Sequence, residues 1–239
     1  SSHTMGPMLA AQSFIGLCAT FLVSNQNLAD KVNKKPLRVR CFLKGSLAYT
    51  GEGHSTDKAV VLGLHGYAPE VLATLDVDAI VSDLWQRQVI KLSEGDILFR
   101  SWRDVVFDKG EILPERPNGM VFELMSGNDC VLSETYFSVG GGFIYSGSDI
   151  LPVIQPLNVQ IKPKCQYQFN SASSMLVMSA ESDMSISAMK QINELAYRSE
   201  SELEVGLDSI IASMFVCVEA GLKTEGELPG GLNLPRRAK

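Results

Sequence analysis

The sequence has little of what disulfide-built, zinc-stapled and nucleic-acid-binding proteins need. Its five cysteines, Cys18, Cys41, Cys130, Cys165 and Cys217, are odd in number and far apart, with no C-x-x-C or Cys/His spacing. That excludes a disulfide framework or closed zinc site and suits small buried hydrophobes in a reducing compartment, so the expected location is cytoplasmic. Lys and Arg (21) are outnumbered by Asp and Glu (27), for a net charge of −6. No basic run offsets that balance, and a nucleic-acid partner would call for a basic field. P-loop, G-x-G-x-x-G, G-x-S-x-G and H-E-x-x-H motifs are all missing, which removes the commonest phosphate, dinucleotide, serine-hydrolase and zinc-protease signatures. Histidine is scarce at three, His3, His54 and His65, so imidazole chemistry has few possible carriers.

What is present is a chain of 239 residues, 45% hydrophobic, able to bury a core. Gly6 to Val23 runs without a charge and touches the lower limit for a membrane span. Phe14, Leu17, Cys18, Phe21 and Leu22 recur in it at helical spacing, which predicts a core helix reaching about Asn25, with Pro7 in its first turn and Thr4 or Gly6 near its cap. Leu37, Val39, Cys41 and Leu43 alternate with polar or exposed positions, as in a strand with one buried face. A Gly-rich loop over 45–54 follows, then N-cap residues Ser55, Thr56 and Asp57 and a short helix over Ala59–Leu64 stopped at Gly66. The spacing of Ile80, Leu84, Trp85 and Val89 predicts a helix over 77–92, residues 97–108 read as short strands, and Ser126-Gly127-Asn128-Asp129 joins two alternating runs as a hairpin.

The character changes after residue 146. Residues 147–170 carry Pro152, Pro156 and Pro163 with little periodicity, as a linker would, and 171–223 read as two or three helices. Ile210, Ile211, Met214, Phe215 and Val218 are the expected inner face of the last, with Gly221 closing it. The fold class is therefore α+β: an α/β domain over 1–146, a linker over 147–170 and a helical segment over 171–239.

His65 ends a predicted helix, where an imidazolium favours the dipole. His54 precedes a helix N-terminus, which suits either a proton-transfer group or a surface residue. Gly140-Gly141-Gly142 can present backbone N–H groups to a carboxylate, or simply form a bulge. The opening Ser-Ser-His also reads as the stub of a purification tag.

Six stretches change that last reading. SSHTMGPM, GSLAYTGEGHSTDKAVVLGLHG with Pro69-Glu70, NGMVF, YFSVGGGFI, Asn193-Glu194-Leu195-Ala196 and LPGGLNLPRRA occur in that order. Together they resemble the single-chain bacterial iron–sulfur-dependent L-serine dehydratases (L-serine ammonia-lyases). The resemblance implies an N-terminal α/β domain similar to the allosteric substrate-binding domains of some phosphoglycerate dehydrogenases, followed by the first helices of an all-α catalytic domain. It implies elimination of water and ammonia from L-serine to give pyruvate, with a [4Fe-4S] cluster as Lewis acid. The family's cluster cysteines fall outside these residues, so no metal ligand is expected here, and the chain is expected to be a fragment that is inactive alone. His3 and His54 match the family's two motif histidines, one expected as the base and the other as relay or orienting partner. Ser1, Ser2, Thr4, Thr56, Asp57, Ser138, Gly140, Gly141 and Gly142 are the expected substrate-binding positions; Asp57 could equally hold an imidazole or cap the helix. Expected partners are L-serine, the remainder of the catalytic domain and a second copy in a homodimer, with no nucleic acid and no membrane. Two rival readings remain: a non-catalytic amino-acid-binding regulatory module, and a mononuclear metal-hydrolase site made of His3, His54 and Asp57.

Overall fold

The computed structural model describes residues 2–25, 35–72, 75–147, 165–169, 171–228 and 233–237. The chain divides into two compact units, one of Ser1–Gln155 with Leu228–Leu234 and the other of Pro156–Glu227 with Pro235–Lys239. Of the expected linker over 147–170, residues 148–164 and 170 lie outside the described residues.

The first unit is built on helix α1 (Met5–Ser24) and strand β1 (Leu37–Lys44). Along β1 the odd-numbered residues Leu37, Val39, Cys41 and Leu43 are buried and the even-numbered ones half-buried, as period-2 alternation requires. Around it lies a seven-stranded mixed sheet in the order β2-β3-β1-β5-β6-β7, with β4 also paired to β1. β5 (Gly119–Ser126) and β6 (Asp129–Ser138) form the expected hairpin, Gly127 at its turn having φ +62°. β3 (Gly95–Leu98) and β4 (Val105–Asp108) both run parallel to β1. The single-turn helix Ser101–Asp104 interrupts them. β2 (Val89–Leu92) pairs antiparallel with β3, and β7 (Ile144–Ser146) with β6.

Helix α1 covers the sheet, burying Phe14 and Cys18, and Phe14 stacks on Phe122 of β5 at 5.2 Å between centroids. Phe122 meets Tyr136 of β6 edge-on at 5.9 Å. Burial pushes the Cys18 thiol up to about 12 and the Cys41 thiol higher still, so both stay protonated and apolar in character. The loop helix Ser46–Thr50, here α2, leads through a 3₁₀ turn, Glu52–His54, into α3 (Thr56–Leu64). Residues 45–54 are thus helical rather than open loop.

α1 and α3 pack unusually close because Gly63 has no side chain: a Cβ there would run into the Met8 carbonyl and sit 2.8 Å from Ala11 Cβ. Gly63→Ala is expected to destabilise the chain by about 1–3 kcal/mol through this overpacking. Urea unfolding checks it, and an unchanged midpoint would contradict the close contact.

A further expectation changes. The helix over 77–92 ends at Arg87, because Gln88 turns left-handed (φ 53°) and Val89 enters β2. Among the described residues the first unit also holds the helices Pro69–Leu72 and Val77–Arg87, the latter capped by Asp76.

The second unit holds Ala172–Ser182, Ile186–Leu195 and Glu200–Lys223, capped by Ser171, Ser185 and Ser199. The last helix runs through Gly221 and closes at Thr224, whose N–H donates to the Ala220 carbonyl. Its expected inner face is exposed: Ile210, Ile211, Met214, Phe215 and Val218 each show half or more of their surface. Among the described residues of this unit only Met189 and Leu203 are buried hydrophobics. Met5–Ser24 and Glu200–Lys223 are both long and apolar enough to cross a membrane by length and composition; half of the first is buried in the structure and none of the second.

Candidate active site

The Ser2-His3-Thr4 turn and the Glu52–His54 turn come from segments about fifty residues apart, and two threonines tie them together. The Thr56 hydroxyl donates to the His3 carbonyl at 2.5 Å, and the Thr4 hydroxyl donates to the His54 carbonyl at 3.1 Å. These reciprocal bonds set the two imidazoles side by side, with ring centroids 4.8 Å apart and planes 39° from parallel. Thr56 is fully buried, so its hydroxyl faces protein. Ser55 occupies the N-cap of α3 in a left-handed conformation (φ 53°) without a side-chain cap, which turns the chain sharply behind His54.

The two rings are held differently. His54 Nδ1 lies 2.8 Å from the Thr50 carbonyl. A carbonyl only accepts, so Nδ1 carries a proton, and in the neutral ring Nε2 keeps its lone pair on an exposed side chain. His3 has hydroxyls at both nitrogens: Ser2 Oγ 3.2 Å from Nδ1 and Ser46 Oγ 2.9 Å from Nε2. Burial holds His3 below the ordinary 6.5, the neighbouring His54 adds to that, and a hydrogen bond to Ser46 works against it. One imidazole is thus kept neutral beside another with a free lone pair, an arrangement able to accept one proton and disfavour a second.

Ser46, the first residue of α2, had no local signal marking it as a partner of His3. Its backbone N–H donates to the Pro117 carbonyl at 2.8 Å, which anchors α2 to the loop before β5. Ser138 ends β6 and is 2% exposed, with a buried Oγ that has no hydrogen-bond partner among the described residues. It abuts Gly6 so tightly that a Cβ at residue 6 would collide with its hydroxyl. Gly140–Gly142 form a 3₁₀ turn, with Gly141 (φ 77°) and Gly142 (φ 82°) in the left-handed region beside Met5. The first turn of α1 therefore meets Ser138 and the glycine turn directly.

Asp57 stands apart. It sits in the first turn of α3, and no hydrogen bond joins it to either imidazole among the described residues; it lines a separate cavity with Glu52. His65 is also separate, at the opposite end of nine-residue α3, about 14 Å along the helix axis. Its Nδ1 donates to the Val61 carbonyl at 2.8 Å. Ser1 lies outside the described residues.

His65 and His3 together make stability pH-dependent. Burial depresses both below 6.5 in the folded state, so below that value the unfolded chain binds more protons. Their contribution is fully present above about pH 6.5 and is lost as pH falls towards the folded values. Urea midpoints are expected to drop between pH 7.5 and 5.5, and less so in a His3→Gln/His65→Gln double variant. An equal drop in that variant would assign the effect elsewhere.

Among the described residues no group of three His, Cys, Asp or Glu could hold a metal. Cys18 and Cys41 are buried in the core, Cys130 and Cys217 are exposed, and none shares a site with another. The donor set present does not fit an iron–sulfur cluster, and His3, His54 and Asp57 do not converge as a zinc site.

A mixed sheet with helices against it, carrying two adjacent imidazoles beside the start of α1, defines an α+β protein. The serine dehydratase beta chain family profile matches residues 1–149, and the chain belongs to that family. It is 35% identical to L-serine dehydratase TdcG of Escherichia coli over 240 residues, 36% to an L-serine dehydratase of Streptomyces coelicolor over 244, and 30% to one of Helicobacter pylori over 241. Each match covers the whole of this chain, and the chain spans about half the length of these relatives.

Proposed function

We propose that this chain contributes the proton-transfer groups of an L-serine dehydratase, with His54 as the base that removes the α-proton and His3 as its positioning partner. The observation that carries this is the His54 tautomer: Nδ1 is committed to the Thr50 carbonyl, and the Nε2 lone pair stands free 4.8 Å, ring to ring, from His3. In the reaction His54 Nε2 takes the proton from Cα, the C–H pair becomes the Cα=Cβ bond, and the C–O pair leaves Cβ with the oxygen, which takes up the proton from the His54 imidazolium to depart as water. The resulting aminoacrylate tautomerises and hydrolyses to pyruvate and ammonia. His3, kept neutral by burial, spares the developing imidazolium a facing cation. The α1 N-terminus, Ser138 and the glycine turn offer the carboxylate a place beside the pair. The cysteines here do not fit a cluster, and the 239 residues alone are expected to form no pyruvate and to hold no stoichiometric iron.

The likeness to relatives twice this length supports the substrate, and the α/β character of the first unit is compatible with an allosteric-type domain preceding a helical catalytic one. The test is a single-turnover assay of this chain together with the segment filling the other half of its relatives' length. L-Serine is expected to give pyruvate, more slowly when deuterated at Cα. Turnover by the 239 residues alone, or no reaction in the complete protein, would overturn the proposal.

A further inference from the structure

We propose that the cavity behind the histidine loop binds a small organic ammonium cation. It has a volume of about 320 Å³ and lies among α3, the helices Val77–Arg87 and Ser101–Asp104, and β4. The chain has just two tryptophans, Trp85 and Trp102, on different helices, and both line this one cavity, joined by Phe107. They remain 38% and 65% exposed, so their faces are not consumed by core packing. Two carboxylates, Glu52 and Asp57, and Ser101 supply the polar part of the lining.

The lining contains no Lys, Arg or His. Neither Glu52 nor Asp57 forms an ion pair or a side-chain hydrogen bond among the described residues, although Lys58, next to Asp57, is paired to Asp78 at 2.8 Å. The cavity thus carries two uncompensated negative charges against aromatic faces whose quadrupoles are also negative outward, and both features attract a cation. Two carboxylates fall short of the six to eight oxygens a calcium ion takes. A neutral apolar guest would leave both charges unanswered. A compact ammonium bearing alkyl groups satisfies the carboxylates and the rings together, and the volume lies at the small end of ligand cavities. Glu52 and Asp57 flank His54 in sequence, so the guest sits directly behind the loop that carries it; binding itself does not depend on the role of His54.

Both tryptophans line the cavity, so their fluorescence reports occupancy. Titration of the 239-residue chain with choline is expected to give a saturable change. The uncharged isostere 3,3-dimethylbutanol should bind at least about tenfold more weakly. Trp102→Ala and the double variant Glu52→Gln/Asp57→Asn should each weaken choline about tenfold with unchanged circular dichroism, while Trp102→Phe retains most of the affinity. A non-saturable change, equal binding of the isostere, unaltered affinity in Trp102→Ala, or calcium displacing choline at equal concentration would overturn the assignment.

Discussion

Replacing His54 with alanine is expected to lower kcat for L-serine by about 10²–10⁴-fold in the complete protein, with KM little changed. The size follows from the proposed role: a base there would accept the α-proton only as the transition state forms, so ground-state binding would lose little. The fold should be indifferent, because the ring is exposed and its hydrogen bond goes to the Thr50 carbonyl only four residues back. His3→Ala acts through geometry and charge and should cost less. Ser46→Ala, which removes the hydroxyl 2.9 Å from His3 Nε2, should shift the acidic limb of the pH–rate profile, a readout that a merely structural serine would leave in place. Steady-state kinetics across pH checks all three. Activity of His54→Ala within a few-fold of the parent would remove His54 from the chemistry and favour a non-catalytic binding module.

The largest expected loss of stability is Asp104→Ala, at about 3–5 kcal/mol. Asp104 is 1% exposed at the point where β3 gives way to β4. Its Oδ1 accepts from Arg38 Nε at 2.7 Å and from Arg38 Nη2, and its Oδ2 accepts from the Arg100 backbone N–H at 2.7 Å. The carboxylate therefore answers a guanidinium on β1 and fixes the turn that lets two short strands share one neighbour. Removing it leaves a largely buried cation and a backbone N–H without their acceptor, whereas replacing both partners with apolar residues removes the need. Denaturant unfolding should show Asp104→Ala far less stable than the Arg38→Met/Asp104→Leu pair. Equal losses in the two would show that packing, rather than the uncompensated charge, dominates.

Much of this architecture could be read from local pattern. β1 alternates cleanly, the β5–β6 hairpin has turn residues where the backbone needs them, and α1 repeats its apolar residues at helical spacing, so nearest neighbours alone dictate those elements. Val89–Leu92 was not legible, because a four-residue apolar run after a helix looks like one more helical turn. The break is made by Gln88 in a left-handed conformation, with no glycine to announce it. The Gly-rich stretch over 45–54 hid two helical turns for the opposite reason, its composition arguing for loop.

At the site, chemistry was easier to foresee than geometry. His3 and His54 stood out as scarce residue types in motifs that resemble a family, but their approach depends on Thr4 and Thr56 bonding across about fifty residues. The Ser46 contact and the Arg38–Asp104 pair are likewise products of tertiary folding, with separations of 43 and 66 residues. The Thr56 hydroxyl donates to the His3 carbonyl, a contact that local pattern does not announce. Asp57, open between two roles, faces the tryptophan cavity instead of an imidazole. The exposed face of Glu200–Lys223 shows the same limit from the other side: helical periodicity specifies which residues share a face, and tertiary partners decide whether that face is buried.

A base at His54 requires Nε2 to be the open nitrogen. Nitrogen-15 NMR of histidine-labelled protein near pH 7.5 reads this from the two ring nitrogens, which report the tautomer. The expected result is His54 protonated at Nδ1 with an unprotonated Nε2. A His54 protonated at Nε2, which would turn the Nδ1 lone pair towards the Thr50 carbonyl, would contradict it.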